Sequence, residues 1–406
     1  MPIGFAKSIL AQGTTATGAN EFLNYDGSND QTITRNAAVK GFIGAGPLSD
    51  EYAVSFHITD PGGSSMDLIR YDVLRNNSGT FSISSQENAW LTTGSSNYTN
   101  FGMHIAETNA GNLFAHKNDI SNPRAAIFSL SGSTVTKHTD FNANMTASQG
   151  GRIHRRPGTD EFVNINGRGT EIVTLTDNGN SSSMSTGTET TISSDEMFYN
   201  NARSIHGFKD ANTVLMYKSI SNLPPDSHTL QPFEVDLTST GSQSVSTISG
   251  VSAVDLTLDP PVTSSNVFDF SNEGQGAFPT TDFNSTLMLF ERDSQGSPGG
   301  LRVHHYTSGD SSITTSNTLT LTSGSASDIS PSGCFVGSNN DVFLLAFVQP
   351  PTNSLALVKF VKSTNTLSNV AIISESFNVE KLVMSRWGNN AALLQYDDVK
   401  MRLIKP

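Results

Sequence analysis

The 406-residue sequence predicts an all-β fold, a ring of seven four-stranded antiparallel sheets, and three observations predict it. The chain is 35% hydrophobic and only 15% charged, with a polar remainder dominated by Ser, Thr, Asn and Gly, which supplies turns and strands rather than helices. A short strand followed by a hairpin recurs seven times. The last hairpin lacks a final strand, while a strand of the missing kind stands near the start. Four-stranded units at about 40 to 50 residues, lengthened by loop insertions, are the mark of a β-propeller. A β-sandwich also has many short strands at regular spacing and is the structural alternative.

In chain order, residues 1–28 fall outside the repeats and read as an arm retained in the mature protein. Its apolar side chains are Ile3, Phe5, Ile9 and Leu10. A single lysine and a broken apolar stretch make it too weak for a secretion signal. NYDGSND from Asn24 is a turn-rich junction, and residues 31–36 form a polar strand.

Residues 29–406 then form one seven-bladed propeller. Its inner strands open at Gly41, Phe101, Gly151, Arg203, Asn266, Gly333 and Leu382, and their hairpins at Asp50, Ala110, Gly158, Asp210, Phe283, Asn339 and Asn389. Ser- and Thr-rich outer strands follow most hairpins, such as TVTKHTDF after Ser133. The longest insertions, at Ser221 and Asn272, read as loops standing off the scaffold, where contacts concentrate. The final hairpin places strands at 391–396 and 399–404 around Asp397 and Asp398, with no outer strand after them. Residues 29–37 supply that strand to a last blade at 380–406, which closes the ring and removes an exposed edge.

The formal net charge of −13 argues against nucleic acid as a partner, since phosphate binding needs clustered Lys and Arg. Cys334, the single cysteine, excludes an internal disulfide framework and a Cys-based zinc site. No apolar run reaches the roughly 20 residues of a spanning helix, so membrane insertion is not expected. No HExxH, GxSxG, phosphate-cradling loop, EF-hand, Asp-box or WD signature is present, and the expectation is a non-enzymatic protein without a cofactor.

Aligned inner strands put His104, His154, His206 and Asp269 at one equivalent position, with Gly44, Gly337 and Ser385 completing the set. Three imidazoles and a carboxylate are a metal-ligand set, and they are equally the kind of polar side chain that hydrogen-bonds between packed sheets. DGSND, with Asp26 and Asp30, offers carboxylates for calcium, which needs six to eight oxygens. Arg152, Arg155 and Arg156 in GRIHRRPG form a cationic cluster suited to acidic loops or a neighbouring subunit. A glycan platform needs exposed aromatics, and Trp90, Trp387, Tyr98, Phe198 and Tyr199 are the candidates.

MPIGFAKSIL, at the start of the chain, resembles an N-terminal motif of virion proteins from marine tailed bacteriophages, including those of cyanobacterial hosts. The resemblance implies a structural part of a viral tail or capsid surface, located in the extracellular particle. Its partners would then be other virion proteins or repeated copies of itself; the alternative reading is an attachment module that binds host-surface glycan through the loops at Ser221 and Asn272, and a third is a glycan-cleaving propeller enzyme. The arm would anchor it through Ile3, Phe5, Ile9 and Leu10.

Overall fold

The computed structural model describes residues 30–33, 38–60, 68–77, 80–92, 103–117, 124–143, 152–166, 169–192, 206–222, 227–243, 247–255, 267–268, 286–292, 300–320, 330–336, 342–349, 354–373, 383–387, 391–396 and 399–404. Strands dominate them, in seven largely antiparallel sheets. Strand β1 (Gln31–Thr32) belongs to the last sheet. The first sheet runs in order through β2 (Ala38–Pro47), β3 (Tyr52–Asp60), β4 (Leu68–Asn77) and β5 (Thr80–Thr92). The second has β6 (Met103–Glu107), β7 (Leu113–Lys117) and β8 (Arg124–Ser131), with β9 (Thr134–Lys137) and β10 (Phe141–Asn142) both on the outer side of β8.

The third sheet holds β11 (Arg152–Arg155), β12 (Glu161–Asn166), β13 (Gly169–Thr176) and β14 (Ser183–Ile192). The fourth holds β15 (His206–Asp210), β16 (Thr213–Asn222) and β17 (Ser227–Asp236). After β17 the chain sends β18 (Gly241–Gln243) back to pair in parallel with β14, and β19 (Val254–Asp255) then completes the fourth sheet. The fifth has β20 (Val267–Phe268), β21 (Thr286–Arg292) and β22 (Gly300–Thr307), flanked by β23 (Thr314–Thr315) and β24 (Leu319–Thr320). The sixth orders β25 (Ser330–Val336), β26 (Val342–Gln349), β27 (Ser354–Val361) and β28 (Thr366–Ile373). In the seventh, β29 (Val383–Trp387), β30 (Ala391–Tyr396) and β31 (Lys400–Ile404) are joined by β1.

Position within a sheet explains the residue pattern. The middle strands are covered on both faces, so they read as near-continuous apolar runs. In β3, residues 52–59 are all buried, its odd-numbered side facing one neighbouring sheet and its even-numbered side the other. Val54 and Phe56 pack with Leu113, Ala115 and Phe128 of the second sheet, while Ala53 packs with Trp387, Leu393 and Leu403 of the seventh. Outer strands face solvent on one side and alternate accordingly, as in β9, where Thr134 and Thr136 are exposed and Val135 is half-buried. Gly132, at φ 60, supplies the left-handed turn between β8 and β9.

Two expectations are corrected here. Outer strands of the second and fifth sheets are each broken in two, and between the pieces His138 N–H still bonds Ile127 carbonyl, and Ser316 N–H bonds Val303 carbonyl. The insertion at Ser221 is no standing loop along its described length. Its register carries on to Asn222 opposite Ser227, so it lengthens a hairpin whose arms are ten residues each.

Candidate functional site

The clasp is the most concentrated polar arrangement. Gln31 pairs with Met401 and Thr32 with Lys400, so the outer strand of the last sheet comes from the start of the chain. A two-residue ladder is weak by itself, and Asp30 reinforces it. Arg402 is fully buried, and its Nε and Nη2 donate to Asp30 Oδ1 at 2.6 Å and Oδ2 at 2.8 Å. Tyr396 Oη donates to the same carboxylate and accepts from Arg402 Nη2 at 2.9 Å. This fork occupies both oxygens of Asp30, so the calcium reading of DGSND is corrected: the carboxylate is spent on an arginine. Asp26 lies outside the described residues.

The rim is tied from sheet to sheet by the turns that join inner and second strands. Trp387 Nε1 donates to Ser49 carbonyl at 3.1 Å, linking the seventh sheet to the first. Arg155 donates to Thr108 carbonyl at 3.1 Å, toward the second sheet, while Arg156 donates to Ala211 carbonyl and Asn212 of the fourth and pairs with Glu161 at 2.5 Å. The cationic cluster thus does its pairing within the chain. Arg152's side chain lies outside the described set.

Buried polar pairs stand on the faces of the sheets. His57 Nδ1 stands 3.2 Å from Asp72 Oδ2, both side chains fully buried, beside Ser55, whose hydroxyl accepts from Gln395 Nε2 at 2.6 Å across the clasp. The third sheet repeats the device with Asn164 donating to Glu171 at 3.2 Å. His116, stacked parallel to Phe114, is driven down to a pKa of about 3 by burial, partly offset by a hydrogen bond with the backbone of Ala143. Burial also lowers His305, which holds Asn365 at 3.1 Å and lies against Phe360. These last two imidazoles are neutral packing groups.

A different histidine, His138, bridges two sheets by both ring nitrogens. His138 follows β9, and its Nε2 lies 2.8 Å from Ser129 Oγ of β8. Its Nδ1 lies 3.2 Å from Oδ1 of Asn180, which sits in a 3-10 turn (Gly179–Ser181) of the third sheet. Thr139 N–H donates to the same Oδ1 at 3.0 Å and Thr139 Oγ1 at 3.3 Å. Gly179, at φ 60, lets the imidazole approach: a Cβ there would press within 3.2 Å of the ring.

Of the predicted site residues, register places His104 opposite His116, His154 opposite Val163 and His206 opposite Met216. Asp269 and the arm residues Ile3, Phe5, Ile9 and Leu10 lie outside the described residues, as do Gly337, Tyr98, Phe198 and Tyr199. Among the described residues, no three His, Cys, Asp or Glu side chains gather as a metal site. Ser385, in the aligned set, is buried and accepts a hydrogen bond from Ala45 N–H of the first sheet, the inter-sheet role. Trp90 and Trp387 are buried, at 8% and 2% exposure, and offer no sugar platform. Sequence reasoning passed over Ser129, His138 and Asn180 because their meeting depends on two sheets packing; only the strand-and-turn grammar around TVTKHTDF hinted at where His138 would lie.

No family model and no curated protein matches the chain. Solved structures do. A catalytically inactive variant of virginiamycin B lyase from Staphylococcus aureus, with quinupristin, is 10% identical, covers 95% of this chain and 100% of its own, with a TM-score of 0.44. A carbohydrate-active enzyme of family AA12 from Trichoderma reesei is 10% identical over 76% and 93%, with a TM-score of 0.43. A protein from Lactobacillus plantarum is 13% identical over 85% and 91%, with a TM-score of 0.41. The expectation of a non-enzymatic protein is corrected here: similar structures include a lyase and a carbohydrate-active enzyme.

Proposed function

We propose that the seven sheets close into a seven-bladed β-propeller that serves as an interaction scaffold of a viral particle, at its tail or capsid surface. Support for closure comes from the neighbours: β2 packs beside β29 and β6, β6 beside β11, β15 beside β21, β24 beside β28, and β25 beside β29, while one apolar cluster joins the third and fourth sheets. The clasp carries the functional reading. Asp30 immediately precedes β1, the outermost strand of the last sheet, and is held by a buried arginine, so the preceding 29 residues join the body at its outermost strand. The apolar residues of that segment, Ile3, Phe5, Ile9 and Leu10, would anchor the disc to a neighbouring virion protein or a further copy of the chain. The MPIGFAKSIL resemblance supports the virion setting.

Deleting residues 2–12 tests it. The truncated chain is expected to keep its urea midpoint and to be missing from purified particles. Incorporation at the full-length level overturns the anchor.

A further inference from the structure

We propose that Ser129, His138 and Asn180 form a nucleophilic triad that hydrolyses esters of small acyl groups. Hydrogen-bond polarity fixes the protons. Thr139 N–H can only donate, so the Asn180 atom it meets at 3.0 Å is an acceptor. His138 Nδ1, 3.2 Å from that acceptor, must therefore carry the ring proton. In the neutral ring Nε2 is then left with its lone pair, 2.8 Å from Ser129 Oγ, and the serine hydroxyl donates to it. Nucleophile, base and orienting group thus stand in the order that activates a serine, with the orienter itself held by Thr139.

The three residues come from two sheets. Ser129 belongs to a strand, and Asn180 to a turn made possible by the left-handed Gly179.

The reaction balances with water as co-reactant. Ser129 Oγ bonds to the ester carbonyl carbon while its proton passes to His138 Nε2. Collapse breaks the carbon–alkoxy bond, and the alcohol leaves with that proton. Water then gives a proton to Nε2 and its oxygen to the acyl carbon, and the acid departs as Oγ recovers the proton. Asn180 is exposed and Ser129 half-buried, so the seam is open at the surface. An open seam suits a small acyl group carried on a larger molecule, an O-acetylated polysaccharide being the fitting class.

The test uses the full chain with a fluorophosphonate probe, p-nitrophenyl acetate and an O-acetylated polysaccharide. We expect one adduct, mapped to Ser129 by mass spectrometry and lost in S129A. H138A should slow labelling and nitrophenolate release by about 100-fold or more, with N180D retaining more activity than N180L. No adduct on Ser129 of the unaltered chain overturns the triad even if every variant misfolds, and so does labelling in folded H138A at the unaltered rate. Nitrophenyl acetate turnover without acetate release from the polysaccharide overturns the assigned substrate class.

Discussion

Asp30→Ala should cost the protein about 3 kcal/mol. Arg402 is fully buried, and its charge is answered by the Asp30 carboxylate at 2.6 and 2.8 Å. Removing one partner of a buried pair typically costs about 3 to 5 kcal/mol, because the other charge is stranded. Asp30 keeps 20% side-chain exposure, which admits water to one side of the fork and sets the lower end of that range. Arg402→Met should cost about 1 kcal/mol, since methionine fills the stem's volume and the carboxylate left behind can be solvated. The double variant should then approach Arg402→Met alone, giving a coupling of about 3 kcal/mol. Urea unfolding followed by far-ultraviolet circular dichroism measures all four species, with an unchanged m-value showing that the same body unfolds. A loss below about 1 kcal/mol in Asp30→Ala, or strictly additive effects, would refute the clasp as an energetic lock.

Three further outcomes are expected. His116 has a folded pKa of about 3 against an ordinary 6.5, so between those values the unfolded chain holds the extra proton and stability falls as pH drops, by at most about 1.4 kcal/mol per unit. Urea midpoints from pH 4 to 7 should therefore slope less steeply in His116→Leu than in the unaltered protein, and equal slopes would count against a buried neutral ring. Gly169→Ala puts a Cβ against the carbonyl oxygen of Thr190, a backbone atom that cannot swing away, and should cost about 2 to 3 kcal/mol in the same assay; a neutral result would mean β13 and β14 sit farther apart. Arg156→Ala removes charged hydrogen bonds to two turn groups of the fourth sheet and to Glu161, for about 2 kcal/mol. A change under 0.5 kcal/mol would show those rim contacts to be incidental.

Alternation and turn residues made the sheet units readable in the chain, since strand faces and reversals are local properties. NNAALLQYDDVKMRLIKP announced a sheet short of one strand, and the pairing of Gln31 with Met401 supplies it from the N-terminal segment as expected. The limits of that reading were also local. Composition does not say that an outer strand breaks at His138, that β18 crosses to a neighbouring sheet, or that Arg156 spends its charge inside the chain. Asp30 looked like a calcium ligand because its partner, Arg402, is 372 residues away.

The sequence by itself determined the all-β class, the seven repeated units and the source of the missing strand, because hydrophobic period and turn chemistry act over a few residues. Tertiary structure alone decided which polar side chains meet. Ser129 and His138 lie nine residues apart, but Asn180 completes them from the next sheet, and His116 and His305 were turned into neutral core by packing that no local pattern encodes. Burial and hydrogen-bond polarity set the chemistry of a histidine, and both belong to neighbours brought together by the fold.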